Sequence, residues 1–156
     1  MVEKLQCLTD SLMRVPLFIK PAIANYEGLK INDKVLNIDI AATCLRAAGL
    51  PIPKNISDFD YTQYYSGEEI HARPYIFMEA GDIKGVVNNN FKTVVYINRD
   101  YGELYDMTSD PLEINNLWDD KKYSTEKMKG LKIIINEMYK SIPYNDVIWN
   151  DGTPLI

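Results

Sequence analysis

The chain has 156 residues, 46% of them apolar and 25% charged, which suits a globular fold with length enough for a buried core. Its net charge of −5, from acids spread along the chain, argues against a nucleic-acid or anionic-membrane partner. No apolar run approaches the ~20 residues of a membrane span, and Met1-Val2-Glu3-Lys4 leads into no apolar signal-peptide core.

Residues 1–13 are weakly patterned: Leu5, Leu8, Leu12 and Met13 form a helical face, or the stretch is a loop. Val15 to Ile19 is a continuous apolar run, which predicts a short strand buried on both faces. Pro16 places that strand at an edge or a start. Residues 22–33 read as loop. Asn37 predicts the N-cap of a helix over 38–48, with Ile38, Ala41, Ala42, Leu45 and Ala48 on its apolar face. Gly49 suits the position past its end, and Pro51 and Pro53 stop it. Residues 54–73 read as loop with one helical turn.

Four strands follow, over 75–80, 83–87, 91–97 and 103–107. Their short Gly- and Asn-containing connections, such as Gly81-Asp82 and Asn88-Asn89-Asn90, predict an antiparallel meander. Asp110, Pro111 and Glu113 read as a helix start, with Asp110 as N-cap, Pro111 at N1 and Glu113 at N3. A last helix over 124–140 is capped by Ser124 or Thr125. Its buried stripe is Met128, Leu131, Ile135 and Met138, widened by Ile134. Gly130 inside it costs about 1 kcal/mol relative to Ala, so packing must hold this helix. The fold class is α+β: a four-stranded antiparallel sheet with a long C-terminal helix packed on it, preceded by a strand–loop–helix section. The organisation is one domain over 1–156, with sections 1–58 and 74–141 and an extended tail 142–156.

Three blocks carry a more specific signal. Glu103-Leu104-Tyr105-Asp106, then Asp110-Pro111-x-Glu113, then Asn115-Asn116-Leu117 resembles the C-terminal signature of type I sulfatases, members of the alkaline-phosphatase superfamily. Arg14-Val15-Pro16-Leu17-Phe18-Ile19 resembles an upstream strand of that family. Asn37 to Leu45, continuing to Ala48-Gly49-Leu50-Pro51-Ile52-Pro53, resembles its Val-Asp-Ile-Ala-Pro-Thr-Leu block, with Ala42 in place of the family's Pro. The blocks span roughly residues 10–140. They correspond to the C-terminal third of such an enzyme.

The resemblance implies a formylglycine, made from the Cys of Cys-x-Pro-x-Arg, and a divalent metal such as calcium held by Asp and Asn side chains. Neither belongs to this chain. Cys7 is followed by Leu8-Thr9-Asp10 and Cys44 by Leu45-Arg46-Ala47, and the family's paired-Asp and Asp-His-Gly blocks are missing. The expectation is therefore no catalytic residue, no metal ligand and no cofactor in the chain. A sulfate-ester substrate is expected only together with the missing N-terminal catalytic part. Lys4 is the single substrate-binding candidate, because in the family a Lys upstream of the Arg-Val-Pro strand contacts the sulfate. An exposed lysine near a frayed terminus is the competing reading and outweighs it.

The other chemistry-bearing residues have plain explanations. His71 lacks a second His and reads as a surface-loop residue. Arg14 reads as an ion-pair partner, and Asn88, Asn89 and Asn90 as a hairpin turn. Tyr61, Tyr64, Tyr65, Tyr75, Tyr96, Tyr101 and Tyr105 read as core and rim packing. Cys7 and Cys44 read as buried free thiols, with one bridge as the alternative. The functional expectation is an inert C-terminal part of a sulfatase-like sulfuric ester hydrolase. The alternatives are an accessory binding module using the tyrosine-rich 59–77 surface, or part of a phosphoester or phosphonate hydrolase. Pairing of the 15–19 strand with a second copy, or its collapse onto the chain's own helix, is also expected, and the compartment stays open.

Overall fold

The computed structural model describes residues 7–22, 28–57, 59–66 and 69–141. Lys4 and the tail from 142 lie outside the described residues. The chain divides into two compact units, Met1–Leu8 with Phe77–Ile156, and Thr9–Ile76.

The larger unit holds the sheet. Strands β1 (Tyr75–Ala80), β2 (Ile83–Asn88), β3 (Phe91–Tyr96) and β4 (Gly102–Asp106) lie in the order β1-β2-β3-β4. The pairs β2–β3 and β3–β4 are antiparallel, with Val86 opposite Thr93 and Thr93 opposite Leu104. The turns explain this simple order: Gly81 and Asn89 sit at positive φ, where these residues carry the least penalty. Helix α3 (Ser124–Ser141) packs on the sheet as expected. Val86, Thr93, Leu104 and Ile134 are almost completely buried.

The helix turns only part of the expected stripe inward, with Leu131 and Met138 half-buried. Gly130 and Ile134 are buried, while Met128 and Ile135 are 61% and 64% exposed. The reason is Gly130. A Cβ there would lie 2.6 Å from Thr93 Cβ, so the helix backbone rides directly on β3 at this point. A side chain on that face would hold the helix away from the strand. The glycine that looked like a cost is the contact. Nor do Ser124 or Thr125 cap α3: Ser124 is itself helical, and Asp120 caps a 3₁₀ turn at Lys121–Tyr123 that leads straight into it.

No helix begins at Asp110. Residues 107–117 form turns, and Glu113 sits at φ 57°. Its side chain turns to Lys92 on β3, at 2.7 Å, instead of back to the cap.

The smaller unit contains α1 (Asp10–Met13), α2 (Asp39–Ala47) and a 3₁₀ turn at Tyr61–Tyr64. Gly49 ends α2 at φ 69°, as expected. Its N-cap position is Ile38, which gives no side-chain cap; Asp39 receives the Leu36 N–H instead, at 3.0 Å. The buried face of α2 is Asp39, Ala42 and Thr43, and Ile38, Ala41 and Ala48 are exposed. Val15 to Ile19 is not a strand, and each of its residues is exposed, Phe18 to 92%. Pro16 supplies no N–H, and no strand lies alongside the run among the described residues, so no ladder forms.

Candidate functional site

Polar chemistry inside the smaller unit converges on Asp39, which is completely buried. Its carboxylate accepts from the Ser57 hydroxyl at 2.8 Å and from Arg73 Nη2 at 2.6 Å, besides the Leu36 N–H. The Arg73 guanidinium also stacks over the Phe59 ring, 4.7 Å from its centroid. One turn along α2, the Thr43 hydroxyl donates to the Asp39 carbonyl at 2.8 Å and accepts the Tyr61 N–H at 2.9 Å. The Tyr61 hydroxyl donates to the Leu36 carbonyl at 2.5 Å. Burial, then the Asp39 charge, push the Tyr61 phenol up to about 12. Each of these groups faces another protein group, so the set is a brace between α2 and the loop around 57–73. A buried carboxylate needs such company, because an unpaired charge away from water costs several kcal/mol.

Asp60 extends the brace. It caps the 3₁₀ turn through the Thr62 N–H at 2.8 Å and the Thr62 hydroxyl, and Arg46 approaches it at 3.3 Å. Gln63 donates to the Asp60 carbonyl and accepts the His71 N–H. His71 itself is an exposed loop residue, as expected.

In the larger unit the polar residues of the 102–117 stretch clamp the outer edge of β4. Asn116 Oδ1 accepts from the Leu104 N–H at 3.1 Å and the Trp118 N–H at 2.9 Å, and Nδ2 donates to the Gly102 carbonyl at 3.0 Å. The Leu117 N–H donates to the Leu104 carbonyl at 2.8 Å. The edge groups that would otherwise stay open are thereby closed. Trp118 lies flat against Gly102, where a Cβ would stand 2.5 Å from the indole. Asp106 and Asp110 fold the corner. The first accepts from Thr108 N–H and the Ser109 hydroxyl, the second from the N–H groups of Ile114 and Asn115. The Thr108 N–H, then the Ser109 hydroxyl, hold the Asp106 carboxyl below its ordinary range. The Lys92–Glu113 pair locks the corner to β3 with both side chains buried.

The structure separates the remaining sequence candidates. Asn89 and Asn90 form the β2–β3 turn, while Asn88, expected in the turn, ends β2 opposite Phe91. Cys44 is exposed on α2 and Cys7 half-buried, and no disulfide joins them, so the expectation of two buried thiols holds for neither. Arg14 is exposed. Tyr96 donates to Glu103 at 2.5 Å and packs against Tyr101. Tyr64 and Tyr65 line an open cleft of about 720 Å³ with Leu17, Phe18 and Leu29, flanked by Lys20 and Lys30.

Among the described residues, neither the thiols nor the buried carboxylate of Asp39 fits a formylglycine or a divalent metal. Neither thiol has the flanking residues that maturation needs, and the oxygens of Asp39 are already taken by Arg73, Ser57 and Leu36. No cluster of three or more His, Cys, Asp or Glu side chains with metal-holding geometry occurs among the described residues. No helix among them is long and apolar enough to cross a membrane.

The family model described as N-sulphoglucosamine sulphohydrolase, C-terminal, matches residues 4–141. The chain belongs to this sulfatase C-terminal family. An N-acetylglucosamine-6-O-sulfatase of Bacteroides thetaiotaomicron is 27% identical over 154 residues, covering 88% of this chain and 27% of the relative. Among solved structures, a 2-O GAG sulfatase aligns with a TM-score of 0.56 at 24% identity, over 65% of this chain and 24% of that one. The phosphonate monoester hydrolase of Agrobacterium radiobacter aligns at 0.54 and 18% identity, over 76% and 28%. These two likenesses establish the fold. The sulfatase C-terminal domain thus spans about a quarter of the length of the relatives it matches. Its shared sequence blocks have structural jobs: Asp39 and Thr43 brace α2, and Asp106, Asp110, Glu113 and Asn116 clamp the corner.

Sequence reading missed the partners of these residues. Arg73 lies 34 positions from Asp39, and Lys92 lies 21 from Glu113. The spacing of Asp39 and Thr43, four apart on one helix face, was the one local signal for the brace.

Proposed function

We propose that this chain is the structural and cleft-completing part of a sulfuric ester hydrolase, and that it is catalytically inert by itself. The observation that carries the reading is the inward engagement of the polar residues in the shared blocks, which leaves them to hold backbone in place. The missing Cys-x-Pro-x-Arg and paired-Asp motifs agree with it. The nucleophile and the metal ligands would then come from a separate part of the enzyme. Val15, Leu17, Phe18 and Ile19 are exposed, and Leu17, Phe18 and Ile19 share one open cleft with Leu29. An apolar surface of this extent is the kind that docks against another protein surface, and here the catalytic part is the proposed occupant. Self-pairing through 15–19 is the competing outcome.

A chimera tests this. The C-terminal quarter of the Bacteroides N-acetylglucosamine-6-O-sulfatase is replaced by this chain, and aryl-sulfate turnover is compared with the truncated relative. The chimera should recover turnover, and Phe18→Asp should lose it without unfolding the sheet. A chimera whose sheet is folded but whose turnover equals that of the truncated relative would contradict the proposal.

A second reading, an accessory module, draws on the cleft beside Tyr64 and Tyr65. It requires the isolated chain to bind a sulfated saccharide, which calorimetry measures directly.

A further inference from the structure

Two apolar runs of the smaller unit meet in the open cleft of about 720 Å³. One is Leu17-Phe18-Ile19-Lys20-Pro21 and the other is Gly28-Leu29-Lys30-Ile31. Each run carries a single lysine set between apolar neighbours. Both lysine side chains are exposed, and neither has an ion-pair partner among the described residues. The lining contains no Asp or Glu among those residues.

The two tyrosines on the lining add no charge. The Tyr64 hydroxyl donates to Asp33 at 3.0 Å. Burial, then that hydrogen bond, push the Tyr64 phenol well above its ordinary value, and the Tyr61 phenol is raised to about 12. Both rings therefore stay neutral at physiological pH, and the charge of the lining is that of Lys20 and Lys30.

This pattern constrains whatever covers the cleft. A surface laid over Ile19 and Leu29 also lies over the lysines between them and their apolar neighbours. An ammonium group is strongly hydrated, and removing it from water without an opposite charge is strongly unfavourable. The occupant must therefore bring acids along with its apolar contacts. A second copy of the chain does not meet this need, because cleft against cleft would set lysine against lysine.

We propose, resting on the docking reading above, that an apolar segment of the catalytic part fills this cleft and that its carboxylates pair with Lys20 and Lys30. The apolar runs supply contact area. The two lysines select the partner and fix its register.

The chimera described above tests this. Acetylation of Lys20 and Lys30 by acetic anhydride, read by mass spectrometry, should proceed in the isolated chain and be lost in the chimera. Lys20→Glu together with Lys30→Glu should lower aryl-sulfate turnover of the chimera about tenfold or more. Lys20→Met together with Lys30→Met should also lower it, because the partner's carboxylates are left covered without a cation. Both positions are exposed in the isolated chain, so unchanged amide exchange there shows that the variants keep its fold. An active chimera whose two lysines acetylate as fast as in the isolated chain overturns the inference and leaves the docking reading standing. So does a Met variant with the turnover of the parent chimera. A folded chimera without turnover overturns the docking reading itself, and this inference with it.

Discussion

Gly130→Ala separates helix propensity from packing. In a free helix this change stabilises by about 1 kcal/mol, because alanine restricts the unfolded chain and glycine does not. In this structure the new methyl would stand 2.6 Å from Thr93 Cβ and 3.0 Å from its Cγ2, and closer still to its Oγ1. Carbon atoms at rest sit about 3.5–4.0 Å apart, so helix and strand must separate by about 1 Å. Thr93 is 1% exposed, between Val86 and Leu104, and cannot swing aside. Overpacking of this kind costs about 1–3 kcal/mol, which cancels or outweighs the propensity gain of about 1 kcal/mol and leaves a net loss of up to about 2 kcal/mol. Urea titration followed by far-ultraviolet circular dichroism and by tryptophan emission measures the difference. Thr93→Ala in the same chain should restore only part of it, since its Cβ remains in place. A Gly130→Ala chain more stable than the parent would refute the close helix–strand contact.

Three further outcomes follow from the same structure. Asp39→Ala leaves the half-buried Arg73 without its carboxylate and removes the acceptor of Ser57 and Leu36; it should cost about 2–4 kcal/mol, read as an earlier urea midpoint for the smaller unit by hydrogen exchange, and a change below about 1 kcal/mol would mean the pair is solvated. Asn116→Ala removes three hydrogen bonds at the β4 edge, each worth about 0.5–1.5 kcal/mol, and should raise amide exchange at Leu104 and Trp118 before any other strand. Burial and neighbouring carboxylates push the Tyr61 and Tyr105 phenols up to about 12. Unfolded tyrosine ionises near pH ~10, so their contribution to stability is complete below that pH and is lost as pH rises toward 12. Absorbance titration should therefore show a late phenol fraction coupled to unfolding, and a single ionisation step near 10 in the folded chain would count against the buried positions.

The sheet was readable because its information is local. Each hairpin is set by two or three residues, and Asn89 and Gly81 announce their turns. The interior was not readable, because it is decided by pairs far apart in sequence. Asp110-Pro111 looks like a helix start until Lys92, buried on β3, draws Glu113 across. The apolar pattern of α3 covers both its sides, and only the small residue at 130 marks the inner one. On α2 the hydrophobic pattern pointed to Ile38, Ala41 and Ala42, and of these only Ala42 is buried, because Arg73 draws the adjacent Asp39 and Thr43 side inward. The run 15–19 has the composition of a buried strand and, among the described residues, no strand beside it.

The most direct test of the account is turnover of an aryl sulfate and an aryl phosphate by the purified chain, with and without calcium or magnesium. A hydrolysis centre needs its nucleophile, metal and acid held together, and loss of one member of such a set costs nearly as much as loss of all. The account predicts no turnover above buffer under any of these conditions. Metal-dependent hydrolysis that co-purifies with the chain and disappears in His71→Ala or Lys4→Ala would contradict it.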